Sequence, residues 1–233
     1  GNLDDISNRA ITTLQTVNLI AAEDTRHSKQ LLVHLGINTP LIALHEHNER
    51  EQADALLKQV QQGMALAVIS DAGTPLISDP GYHLVHRAHQ LGIKVVPIPG
   101  PSAVICALSA SGLATDRFSF EGFLPAKALA RQHSLQELSK EPRTMVFYEA
   151  PHRIVETIAA MYEVFGPERQ AVMARELTKK FETIFAGSLQ QLLEFVNKDP
   201  NQQRGEFVLM LAGSKEHGDK FQLTPETQKE IGR

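Results

Sequence analysis

The sequence is short of the residues on which several kinds of protein depend. It holds one cysteine in 233 residues, Cys106, so no disulfide can close within the chain and a disulfide-stapled scaffold is excluded. Cys106 sits in "SAVICALSA", an apolar setting that reads as a buried helical thiol rather than a nucleophile. No apolar run approaches the ~20 residues that a membrane-spanning helix needs, and no signal-peptide pattern opens the chain. A cytoplasmic protein with no membrane partner is expected. Positive charge is scarce too: Lys and Arg number 23 against 27 Asp and Glu, a net charge of −4. The deficit falls in both halves, so any nucleic-acid site has to be a local patch.

Familiar fingerprints are missing as well. GxGxxG and GxxxxGK[ST] do not occur, which excludes the usual dinucleotide and P-loop phosphate cradles. "GPSAV" fails as a nucleophile elbow because its fifth residue is Val104. HExxH and CxxC are absent. His45 and His47 in "LHEHNE" could face one side of a strand end, but no third ligand joins them and no metal site is expected.

What remains is an ordinary globular composition, 42% hydrophobic and 21% charged, with a regular rhythm. "DDISNRAITTLQTV" reads as a helix with Asp4 or Asp5 near its N-cap, and "NLIAA" as a buried strand. "TRHSKQLLVHLG" is a helix closed by Gly36, "PLIAL" a strand, "EREQADALLKQVQQG" a helix and "MALAVIS" a strand. Asp79 is expected to cap the helix "PGYHLVHRAHQLG" with Pro80 in its first turn; "IKVVPIP" follows as a strand and "PSAVICALSASGL" as a helix. Such alternation implies a mostly parallel sheet covered on both faces. Since Gly1 and Asn2 lead straight into a helix, a strand that would precede it is expected to be absent from this chain.

The rhythm restarts near Asp116. "QAVMAREL" and "FETIFAG" are strands with no room for a helix between them, so the second sheet is expected to be mixed. The reading is therefore α/β, with one domain over residues 1–114, a second over 115–213, and a tail over 214–233. In that tail Thr224 and Pro225 resemble a fresh helix start.

One stretch stands apart. "ISDAGTPLISDPG" sets two Ser-Asp pairs, two glycines and two prolines directly after an apolar strand. Residues of this kind dictate backbone shape, and ligands of parallel sheets bind beyond the carboxyl ends of the strands. "PIPGPSAV" occupies an equivalent place, with Ser102 ahead of a helix whose free N–H groups can hold ligand oxygens or whose turn is simply capped. Four charged clusters also fall at strand ends: "AEDTR", "EGFLP", "FYEAPHR" and "ARELTKKFE". Singly they read as surface ion pairs; together they point to a shared site.

With "GNLDDIS", "PGPSA" and "GEFVLM", these stretches resemble, in order, the tetrapyrrole-methylase superfamily, and within it the branch that methylates a cytidine ribose in small-subunit (16S) ribosomal RNA. The resemblance runs from Gly1 to about Gly213. It implies two α/β domains with S-adenosylmethionine in the cleft between them, no metal, and a homodimer acting on RNA rather than DNA. It assigns to the cofactor the loop residues Asp71, Gly73, Thr74 and Ile77, then Ser102 and Ala103, then Glu149 and Leu177. For a methyl transfer to a hydroxyl, the candidate bases are Asp24, Glu149 and Glu176, and the cations suited to phosphates or to a developing oxyanion are Arg26, Arg153, Arg175, Lys179 and Lys180. The residues alone leave other readings open: a magnesium-dependent phosphoryl hydrolase using Asp71 and Asp79, an RNA-binding module without activity, or a methylase of a small molecule or a protein.

Overall fold

A computed structural model of the chain describes residues 2–214. Gly1 of the first motif and the helix start at Thr224 and Pro225 lie outside them. The chain divides into two compact units, Gly1–Ala103 and Val104–Arg233.

The first unit is built on three parallel strands, Leu19–Ala22 (β1), Leu41–Ala43 (β2) and Leu66–Ile69 (β3), in the order β2-β1-β3. Four helices accompany them: Asn8–Thr16 (α1), Thr25–His34 (α2), Glu49–Gln61 (α3) and Tyr82–Gln90 (α4). Alternation along β1 decides which face each helix covers. Ile20 packs with Leu14 of α1 and Leu32 of α2, whereas Ala21 packs with Leu56 of α3 and Leu84 of α4. Both faces are therefore closed, which is why "LIAA" is apolar throughout.

Three local expectations give way here. Ser7, not Asp4 or Asp5, caps α1, its hydroxyl accepting from the Ala10 N–H at 3.2 Å; the two aspartates form a separate 3-10 turn capped by Asn2. Helix α4 begins at Tyr82, so Asp79 and Pro80 stay outside it. Gly81 forms its entry at φ 126°, a conformation suited to glycine, and a Cβ there would meet Leu76 Cδ1 at 2.6 Å. The first turn of α4 is satisfied from a distance: the buried Glu49 carboxylate accepts from the Leu84 N–H at 2.9 Å. Finally, "IKVVPIP" forms no strand. Pro97 and Pro99 remove two of its donors, and the segment runs without a ladder, leaving Val95 and Val96 exposed.

The second unit holds a mixed five-stranded sheet: Phe118–Phe123 (β4), Thr144–Glu149 (β5), Gln170–Arg175 (β6), Thr183–Ser188 (β7) and Phe207–Leu211 (β8), in the order β4-β5-β8-β6-β7. β4 and β5 are parallel and the other pairings antiparallel. Its helices are Ala103–Ser111 (α5), Ala128–Glu137 (α6), Ile154–Phe165 (α7) and Leu189–Lys198 (α8), the last opened by a Ser188–Gln191 capping box. All five residues of β8, the last strand among the described residues, are buried at the centre of the sheet. Leu135, Met145, Phe147, Ile158, Met161 and Leu192 form the core beside it, each contributing about 1.5–3 kcal/mol by leaving water.

Candidate cofactor and substrate site

Because β1, β2 and β3 are parallel, the junctions after them share one end of the first unit. The β1 junction supplies "AEDTR". Asp24 is the N-cap of α2: its Oδ1 accepts from the N–H groups of Arg26 (2.8 Å) and His27 (3.4 Å). Its Oδ2 meets Arg26 Nη2 at 3.2 Å, and the hydrogen bond from that guanidinium, with those from the backbone, holds the Asp24 carboxyl below its ordinary range. The main chain of the same residue reaches the next junction, where the Asp24 N–H donates to Asp71 Oδ1 at 3.2 Å.

The loop after β3 is shaped by its backbone. Gly73, Leu76, Ser78 and Gly81 all have positive φ, at 77°, 73°, 63° and 126°. For the two non-glycine residues this conformation costs about 1–3 kcal/mol each, of the kind that gathers at ligand clamps. Thr74 ties the loop to "PGPSA" by donating its hydroxyl to the Pro101 carbonyl at 3.0 Å. Ser102 and Ala103 follow at once, so the two stretches singled out in the sequence meet within one unit. Thr74 and Ile77 are exposed.

Negative charge collects at this end. Burial, then the nearby Asp79 and Asp71, push the Glu23 carboxyl above its usual range. Asp79 is likewise raised, by burial first and by Asp71, against a lowering hydrogen bond with Ser70. Glu23 was not singled out from the sequence; its signal was only its place in "AEDTR" after a buried strand. Among the described residues no group of three or more His, Cys, Asp or Glu is placed to hold a metal ion. His45 and His47 stand edge-on with ring centroids 6.0 Å apart.

In the second unit the register sets Glu149, the end of β5, and Arg175, the end of β6, on either side of Phe207. "FYEAPHR" and "ARELTKKFE" thus leave the sheet at one end, where the parallel β4 also finishes. The Glu149 side chain is fully buried and its oxygens are occupied. Oε1 receives the Ala150 N–H at 2.7 Å and Arg153 Nη2 at 2.6 Å, and Oε2 receives the Thr157 hydroxyl at 2.6 Å. Arg153 also donates to the Leu124 carbonyl at 3.1 Å, which binds the ends of β4 and β5 to the start of α7.

The loop after β6 is held from both sides. Arg175 is 7% exposed and donates to the carbonyls of Arg204 (2.7 Å) and Phe181 (2.6 Å). Glu176 and Thr178 adopt positive φ, 51° and 62°, with Leu177 between them. Lys179 Nζ bridges Glu176 Oε1 at 2.9 Å and Glu206 Oε2 at 2.8 Å. Burial alone would lower its pKa, but the hydrogen bonds and charges of Glu206 and Glu176 outweigh it and raise it, so Lys179 stays a cation. Gly205 makes room for Glu176: a Cβ there would fall 2.5 Å from Glu176 Cγ.

The sequence pattern of the Tetrapyrrole (Corrin/Porphyrin) Methylases matches residues 1–193 of this chain. The chain belongs to the tetrapyrrole methylase family. Among its relatives, a protein of Pseudomonas aeruginosa named ribosomal RNA small subunit methyltransferase I is 57% identical over 232 residues, covering 100% of this chain and 79% of its own. A protein of the same name from Vibrio cholerae is 54% identical over 220 residues, covering 94% and 76%. Two solved structures share the fold at low identity. A cobalt precorrin-4 methyltransferase has TM-score 0.64 at 14% identity, covering 91% of this chain and 90% of its own. Diphthine synthase has TM-score 0.65 at 13% identity, covering 91% and 86%.

Within this tetrapyrrole methylase, the expected residues divide by what they touch. Asp71, Gly73, Thr74, Ile77, Ser102 and Ala103 belong to one connected pair of loops at the end of the first sheet. Asp24 and Arg26 adjoin it, the carboxylate serving the helix cap and the guanidinium standing 91% exposed. Glu149, Arg153, Leu177 and Lys179 gather at one end of the second sheet, with three of their charged groups engaged in internal pairs.

Proposed function

We propose that the chain is an S-adenosylmethionine-dependent methyltransferase that modifies the ribose 2′-hydroxyl of a cytidine in the 16S RNA of the small ribosomal subunit. The observation that carries the reading is 57% identity across the whole chain to a relative named for methylation of small-subunit RNA. The donor set suits the cofactor, which presents a sulfonium and an ammonium. Glu23, Asp71 and Asp79 concentrate negative charge beside a loop whose turns leave Thr74 and Ile77 exposed. We assign cofactor contacts to Asp71, Gly73, Thr74, Ile77, Ser102 and Ala103, and to Leu177 in the second unit. Glu149 takes part through its main chain, since its carboxylate is enclosed.

When bound, the sulfonium supplies an activated methyl group whose leaving group is a neutral thioether. The protein then has to hold the ribose oxygen in line with that carbon and keep water out; such alignment can supply roughly 7–11 kcal/mol of the barrier. Asp79 and Glu23, raised by burial, are suited to receive the hydroxyl proton. Arg26 and Lys180, both exposed, are suited to phosphates. The substrate puts the enzyme in the cytoplasm. We further assign a homodimer that covers Phe118 and Phe123 on the edge strand β4, 38% and 53% exposed here; a monomer by light scattering at working concentration overturns that assignment.

The deciding experiment supplies labelled S-adenosylmethionine and small subunits lacking the modification. Label should enter the RNA, and a single deoxycytidine at the target should abolish incorporation while binding persists. Methylation of the deoxy substrate would make the acceptor a base atom, and no transfer to RNA would leave a small molecule or protein as substrate.

A further inference from the structure

Helices α3 and α4 carry an aromatic and basic cluster for which the proposed chemistry has no use. Both start at the carboxyl end of the parallel sheet, because α3 follows β2 and α4 follows β3. Their first turns therefore stand at the same end as the loop Ser70–Gly81. The first residue of α4 is Tyr82, whose side chain is left 61% exposed while the helix buries Leu84 and Ala88.

The Tyr82 ring has two aromatic neighbours on its own helix. It lies close to parallel with His86, one turn along, with centroids 5.6 Å apart and planes 18° apart. His83 meets it edge-on at 5.3 Å. His83 in turn is anchored across the helix pair, its Nε2 accepting from Arg50 Nε at 3.1 Å. That bond fixes the Arg50 guanidinium, which enters no ion pair among the described residues. The next arginine, Arg87, is neutralised by Asp54 at 2.8 Å.

An exposed ring already packed against two others gives up less side-chain entropy when something binds to it. Two of its neighbours are planar imidazoles, which suit a nucleobase better than the apolar core of a protein interface. Unpaired bases stack on such rings whatever their sequence, and a guanidinium with free Nη groups matches phosphate oxygens. We infer that the α3–α4 face centred on Tyr82 is a stacking platform for an unpaired base of the RNA substrate, with Arg50 holding a neighbouring phosphate. The inference rests on the proposed action on RNA and adds the residues that seat the strand beside the cofactor loop.

The test is fluorescence anisotropy with a labelled single-stranded RNA of about ten nucleotides, a size one such surface can engage. Tyr82→Leu should weaken binding roughly 5- to 150-fold, the range for loss of one stacked base. Tyr82→Phe keeps the ring and should bind within about twofold of the parent chain. A duplex of the same sequence, whose bases are already stacked, should bind the parent and Tyr82→Leu alike. Arg50→Gln should lower the log–log salt slope by about one unit. Melting temperature and S-adenosylmethionine affinity should stay unchanged in all three variants. If the parent chain binds RNA and Tyr82→Leu binds it equally well, this inference falls and the function stands. Equal losses on single strand and duplex, or a loss that follows melting temperature, also overturn it. A parent chain that does not bind this RNA overturns the platform, while the function is decided separately by methyl transfer to small subunits.

Discussion

Replacing Arg153 with methionine should damage folding before it touches chemistry. The Glu149 carboxylate has no exposed surface, and Arg153 is its counter-charge at 2.6 Å with a side chain 13% exposed. Methionine preserves much of the stem but leaves an ionised group enclosed with two donors, Ala150 N–H and the Thr157 hydroxyl. It also strips a donor from the Leu124 carbonyl. Breaking a buried pair from one side costs about 3–5 kcal/mol. For a chain of this size that corresponds to about 6–20 °C in melting temperature. Adding Glu149→Gln to Arg153→Met removes the stranded charge. The amide keeps an oxygen for Ala150 and can donate to Thr157, so the double variant should be more stable than Arg153→Met alone. Thermal and urea unfolding measure both, with methyl transfer assayed below the transition. A single variant melting within about 2 °C of the parent would refute the reasoning. So would Glu149→Gln alone if it abolished transfer by the roughly 10²–10⁴-fold expected of a lost general base while leaving stability intact.

Three further outcomes follow from the site. Thr74→Leu should weaken S-adenosylmethionine about tenfold or more by calorimetry with no change in melting, because the residue lies in an exposed loop outside the core; unchanged affinity would remove the loop from the site. Asp79 is raised above its ordinary 3.8, by burial first, so folding favours its protonated form below pH 3.8 and that contribution is lost as pH rises through the folded pKa. Asp79→Asn should therefore stabilise the protein at pH 7, with the gain fading towards pH 3.8 and below; urea midpoints across that range check the sign. Lys180→Gln should lower the salt slope of RNA binding by about one unit, whereas Lys179→Gln should lower melting temperature through the loss of its Glu176 and Glu206 bridges.

The two-sheet plan was legible because buried parallel strands are apolar end to end. "NLIAA" and "MALAVIS" became β1 and β3, and "QAVMAREL" and "FETIFAG", with no room for a helix between them, became the antiparallel pair β6–β7 that makes the second sheet mixed. The misreadings share a cause. An apolar run such as "IKVVPIP" satisfies a periodicity test whether or not a neighbour offers a ladder, and two prolines withhold the donors one would need. Caps failed for a related reason: "DPGY" has the composition of a helix start, but Gly81 entered the helix at a positive φ and the capping oxygen came from Glu49, more than thirty residues earlier.

The charged motifs show where that limit matters for chemistry. A carboxylate beside an arginine in sequence announces a pair, yet reactivity depends on what else fills its lone pairs, and those partners come from elsewhere in the chain. Arg175 is engaged by the carbonyl of Arg204, Glu176 by the backbone of Glu206, and Arg153 by the carbonyl of Leu124. The residues with the most conspicuous charge patterns, Glu149 and Lys179, are thereby the least available as acids or bases. Glu23 and Asp79 had the weaker signals, one inside "AEDTR" and the other expected only to cap a helix. Burial first, then the charge of Asp71 beside both and of Asp79 beside Glu23, makes them the carboxyls held above their ordinary range at the end of the first sheet. A proton acceptor needs an unfilled lone pair and a raised pKa, and both depend on neighbours that only the fold supplies. We therefore propose Asp79 and Glu23 as the base in place of Asp24, Glu149 and Glu176, and methyl transfer by Glu149→Gln set against Asp79→Asn is the comparison that decides it.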